Sequence, residues 1–137
     1  MYNERILEIF KNPTNVGIVQ GASGVGQYID PETADNFKLY IKVENAKIVE
    51  ASFKAFSGVV GVALMSTLTE MVKNLPVEDL TKITAKDLAE KVGEVDKYNK
   101  YLLNDCVEVL AATYKDYQKK LEKEQKEKEA KEKKAKK

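Results

Sequence analysis

The chain has 137 residues, the length of a single domain, and carries 23 Lys+Arg against 22 Asp+Glu. It has one Cys and no His. These counts exclude an intrachain disulfide, histidine acid–base chemistry, Ser–His and Cys–His nucleophile pairs, and any closed zinc or cluster site built from the Cys and His of one chain. The near-zero net charge hides an asymmetry. Residues 119–137 hold ten Lys and five Glu, which leaves residues 1–118 mildly acidic. The first ten residues lack the continuous apolar run of a signal peptide, and no window approaches the roughly 18 uncharged apolar residues of a membrane span. The expectation is a soluble cytoplasmic protein with no membrane partner.

Asn3 can cap a short helix whose stripe is Ile6, Leu7 and Phe10, ending at Asn12–Pro13. Residues 12–24 are rich in Asn, Pro, Gly and Ser and read as loop. The run Gly21–Ala22–Ser23–Gly24–Val25–Gly26 resembles a phosphate loop only superficially, because no Lys–Ser/Thr ending follows and the next element is a strand. Val25, Gln27 and Ile29 suggest that strand. Phe37, Leu39, Ile41 and Val43 alternate with Lys38, Tyr40 and Lys42, so a half-buried strand follows. Glu44–Lys47 is a tight turn, and Val49, Ala51, Phe53 and Ala55 form the returning arm of a hairpin.

Val59 to Lys73 is apolar nearly all round in its first half, which predicts a buried helix capped by Ser57 or Gly58. Thr84 with Asp87 predicts a capped helix from Ala85 to Val92, stopped by Gly93. A long helix starts near Asp96 or Asn99, with a stripe of Leu103, Cys106, Val107, Leu110, Tyr114, Tyr117 and Leu121. Tyr98 and Tyr101 are expected to pack in the core or at an interface. After Leu121 the apolar stripe stops. Glu-to-Lys pairs four apart then support a solvated helical tail that frays toward Lys137. The tail has no aromatic residue to stack on bases, so no nucleic-acid partner is expected. The fold class expected is α+β: a three-stranded antiparallel sheet packed against helices, with residues 1–118 as the domain and 119–137 as the tail.

The segment Met1 to Gly17, MYNERILEIFKNPTNVG, resembles the opening of the NifU-like, or IscU, iron–sulfur cluster scaffold family. The resemblance continues through the Gly24–Gly26 strand, the Lys38–Phe56 hairpin, Lys82–Ala89 and the last helix to Tyr117. It implies a non-enzymatic scaffold that holds a [2Fe–2S] cluster, or zinc in its absence, through three Cys and an Asp, supplied with sulfur by a cysteine desulfurase. Soft thiolates suit that cargo.

The family motifs are only partly present. Where the family has Gly-Asn-Pro-x-Cys-Gly-Asp, this chain reads Ile29 to Asp35, with Thr33 at the Cys position and Asp35 matching the Asp. Where the family has Phe-Lys-x-Phe-Gly-Cys-Gly, it reads Phe53 to Val59, with Gly58 at the Cys position. Where the family has His-Cys, it reads Asp105–Cys106. The Leu-Pro-Pro-Val-Lys segment shown to an Hsp70-type chaperone is replaced by Val95–Leu102, so that partner is not carried over.

The residual metal and cofactor ligands implied by the resemblance are therefore Asp35 and Cys106. Two residues cannot close a four-ligand shell, so no stable cofactor is expected. Cys106 has a second reading as a small buried hydrophobe, and Asp35 as a solvated loop or cap residue. The function implied is a divergent scaffold-family protein that docks or modulates a cysteine desulfurase. The alternative is a metal-free interaction module on the same fold.

Overall fold

The computed structural model describes residues 2–135. Helix α1 (Glu4–Lys11) begins as its sequence dictates, with Asn3 Oδ1 accepting from the Ile6 N–H at 2.8 Å. The same Asn3 also ties the start of this helix to the backbone around Gly93. Its Nδ2 donates to the carbonyls of Val92 (3.1 Å) and Glu94 (2.7 Å), on either side of Gly93.

Strands β1 (Gly24–Ile29), β2 (Asn36–Glu44) and β3 (Lys47–Phe56) form an antiparallel sheet in the order β1-β2-β3. The β2–β3 turn is two residues, Asn45 and Ala46, both at positive φ, which suits the twist of a tight hairpin. The Asn12–Gly17 loop runs along the outer edge of β3, where Asn15 O and Gly17 N bond to the Phe53 backbone. Asn15 is pinned in turn to the second helix by its Nδ2, which reaches Thr69 Oγ1 and Glu70 Oε1.

The helices cover one face of the sheet: α2 (Val59–Val72), α3 (Ala85–Val92) and α4 (Tyr101–Ala135), with a short 3-10 helix at Val77–Lys82 that the sequence reading passes over. Phe37, Leu39, Ile41, Ile48, Phe53, Leu64 and Leu68 are sealed between the layers. Each such side chain contributes about 1.5–3 kcal/mol by leaving water. Helix α3 carries the expected capping box, Thr84 and Asp87 bonding reciprocally.

Three expectations need correcting. The inward face of β1 is Gly24, Gly26 and Tyr28, not Val25 and Ile29; Ile29 is 53% exposed. The reason is α4, which packs so close that a Cβ on Gly26 would lie 2.3 Å from the Thr113 backbone nitrogen. In β3 a register irregularity at Lys42/Val43 turns Ile48 inward and leaves Val49 exposed. Helix α4 starts at Tyr101, after turns closed by Asp96 and Asn99, and buries Leu102, Asp105, Cys106, Val109, Leu110 and Thr113. Leu103 and Val107 are only half-buried. The helix then continues to Ala135, and every described residue from Gln118 onward is exposed. The expected fraying at Lys137 lies outside the described residues.

Candidate functional site

The β1–β2 connection, the β3–α2 junction and the first turns of α4 meet at one end of the sheet. The connection is a compact loop. Asp30 Oδ1 accepts from the Glu32 and Thr33 N–H groups at 2.9 and 3.2 Å, an arrangement suited to an aspartate opening a turn. Asp30 N–H donates to the Asp35 carbonyl at 2.8 Å. Ala34 sits at φ +64°, a left-handed conformation that glycine would adopt without strain.

Asp35 is the centre of the cluster. Its Oδ2 accepts from the Thr33 hydroxyl at 2.6 Å and from the Tyr101 hydroxyl at 2.5 Å, and its Oδ1 accepts from Ser57 at 2.7 Å. Partial burial pushes the carboxyl up, but the three hydroxyls outweigh it and hold Asp35 below the usual carboxylate range. Tyr101 moves the opposite way, raised by burial and by its bond to the carboxylate. Ser57 thus spends its hydroxyl on Asp35, and α2 is capped by Gly58 without a side-chain bond.

Next to this cage lie two further carboxyls, Asp105 and Asp30. Asp105 is 5% exposed, and its Oδ2 has no hydrogen-bond partner among the described residues. Burial first, then the adjoining Asp30, pushes Asp105 up to about 7. Asp30, held by the Glu32 N–H before any other contact, is lowered. The two carboxyls therefore divide their roles, Asp105 holding its proton more tightly and Asp30 ionising more readily.

Cys106 occupies a different environment from Asp35. It is fully buried in the core, its Sγ 3.8 Å from Met65 Sδ. Burial, and then Asp105, pushes its thiol far above the ordinary range, so thiolate character is suppressed. Gly58 supplies no donor atom, and the Thr33 hydroxyl is turned to Asp35. Among the described residues, no group of three or more His, Cys, Asp or Glu side chains is placed to hold a metal ion. As arranged, these donors do not fit the three-thiolate set of a cluster scaffold.

Sequence reasoning named Asp35 and Cys106, with Thr33, Gly58 and Asp105 at the other motif positions, and missed Ser57 and Tyr101 as neighbours of Asp35. It treated Ser57 as a cap and Tyr101 as packing. Ile29 and Phe56 flank Asn36 across the sheet at this end, and both are exposed, Phe56 by 81%.

The model of the NifU-like N-terminal domain family matches residues 1–124. The chain belongs to that family. It is 39% identical over 118 residues to the iron–sulfur cluster assembly scaffold protein IscU of Aquifex aeolicus, covering 85% of this chain and 75% of that one. It is 34% identical over 120 residues to an IscU scaffold protein of Archaeoglobus fulgidus, covering 88% and 78%. A NifU-like N-terminal protein from Brucella abortus shares the fold, with a TM-score of 0.65 at 15% identity over 88% of this chain and 94% of the other. The family is one of iron–sulfur cluster assembly scaffolds. No helix among the described residues is long and apolar enough to cross a membrane.

Proposed function

We propose that this chain is a scaffold-family protein that does not hold a stable [2Fe–2S] cluster or zinc by itself and that acts by docking or modulating a cysteine desulfurase. The observation that carries this reading is the set of hydroxyls that closes around Asp35 in place of a metal-ready donor set. Thr33, Ser57 and Tyr101 hydroxyls close around Asp35, while Cys106 is sealed against Met65. Hydroxyls that are neutral and already bonded are poor ligands for iron, and a buried thiol with a raised pKa is a poor sulfur acceptor.

Docking is supported by what surrounds the exchanged site. The family's opening segment, sheet and last helix persist at 34–39% identity to the IscU relatives. The cage ties the β1–β2 loop, the β3–α2 junction and α4 together at this end of the sheet, and exposed Ile29 and Phe56 give it an apolar rim. A large aromatic exposed beside a fixed polar cluster suits a protein contact.

The test is co-elution with a cysteine desulfurase in gel filtration, together with the desulfurase rate with and without this chain. The proposal expects a complex that Phe56→Ser weakens at least about tenfold while leaving the fold intact. Failure of the two proteins to associate would refute the docking role and leave a metal-free module.

A further inference from the structure

The tail of α4 is not charged evenly. At 100° per residue, Lys119, Lys123, Lys126, Lys133 and Lys134 fall within an arc of about 100°, and none of the tail's five Glu residues lies inside it. Ala130 sits in the middle of that arc. The tail thus presents a lysine stripe with a low centre. Among the described residues these lysines are exposed and make no ion pair.

Elsewhere the body carries a groove of about 720 Å³ between α2 and α3. Its floor is apolar: Met71, Leu75 and Ile83, each half-buried. Its rim is acidic: Glu70, Asp87 and Glu90, all exposed, opposed by Lys91 alone.

We infer that the lysine stripe of one copy lies in the α2–α3 groove of a second copy of this chain. The chemistry matches at two levels. Lysine stems are aliphatic and cover an apolar floor while their ammonium heads reach a charged rim. Ala130 lets the helix approach closely. The excess positive charge of the tail meets the excess negative charge of the rim and of the body as a whole. The tail cannot serve its own groove. Helix α4 runs unbroken from Tyr101 to Ala135 without Gly or Pro, about 50 Å, and folding back would require a break that nothing in its sequence favours.

Sedimentation of the full chain at about 100 µM tests this, at about 50 mM and about 500 mM salt, where screening of exposed charges differs strongly. The expected result is self-association at low salt that weakens at least about tenfold at high salt. Lys123→Glu with Lys126→Glu should abolish it, and so should Glu90→Lys, alone or with Glu70→Lys. Circular dichroism of each variant checks that the fold persists. Mixing the tail variant with the groove variant should restore a one-to-one complex, because one retains a sound groove and the other a sound tail. A monomer at low salt, association indifferent to either charge reversal, or a mixture that stays unassociated would each overturn the inference.

Discussion

The Tyr101 hydroxyl donates to Asp35 Oδ2 at 2.5 Å, joining the first turn of α4 to the loop between β1 and β2 across 66 residues of sequence. The bond is charge-assisted and half-buried, so its loss leaves a carboxylate with one donor fewer in a partly desolvated site. Tyr101→Phe should cost about 1–2 kcal/mol in urea unfolding and should raise the Asp35 pKa measured by carboxyl NMR. An unchanged Asp35 titration would show that the bond does not hold the carboxylate.

The burial of Asp105 beside Asp30 makes stability depend on pH. Asp105 has a folded pKa of about 7, above its unfolded value, so the folded state binds its proton more tightly. That contribution is fully present below about pH 4 and is lost as pH rises through about 7. Asp30 and Asp35 are lowered and act with the opposite sign, losing stability as pH falls through the acid range. Asp105→Asn supplies a permanent donor toward Asp30. It should stabilise the protein more at pH 8 than at pH 5, by on the order of 2–3 kcal/mol, read from thermal or urea unfolding at both pH values.

Gly26→Ala should be among the most damaging small substitutions. Its Cβ would meet the Thr113 backbone at 2.3 Å, and backbone cannot swing aside. A loss of about 3 kcal/mol or more is expected from equilibrium unfolding. Gly58→Ala is the control. Nothing lies within 4 Å of its Cβ, and its φ of −80° suits any residue.

Ala34→Gly tests the strained loop. At φ +64° alanine holds a conformation that costs roughly 1 kcal/mol relative to glycine. Part of the gain is offset by the freer unfolded chain, so a net rise of about 0.5 kcal/mol in unfolding free energy is expected.

Much of this architecture was readable because it depends on local chemistry. Asn3 and Thr84 announce helix starts, and alternation from Phe37 to Val43 announces a strand. The inward face of β1 was not readable, because Gly24 and Gly26 carry no hydropathy signal and matter only through the helix laid against them. Val49 and Ile48 exchanged faces because a bulge resets the period, and no residue type marks it. At the site, Asp35 and the missing thiolates were visible by position. The cage was not, since Ser57 and Tyr101 lie 22 and 66 residues from Asp35 and only the tertiary fold brings their hydroxyls to it. A hint existed: an aspartate left without metal partners needs other donors when it is partly buried.

The central claim is that the donor set around Asp35 and Cys106 does not retain a cluster. Anaerobic reconstitution with ferrous iron, cysteine and a desulfurase, followed by desalting and iron and sulfide analysis, measures this directly, with Cys106→Ala alongside. The account predicts a colourless protein with iron and sulfide far below stoichiometric, unchanged by the substitution. Stoichiometric iron and sulfide that disappear in Cys106→Ala would contradict it.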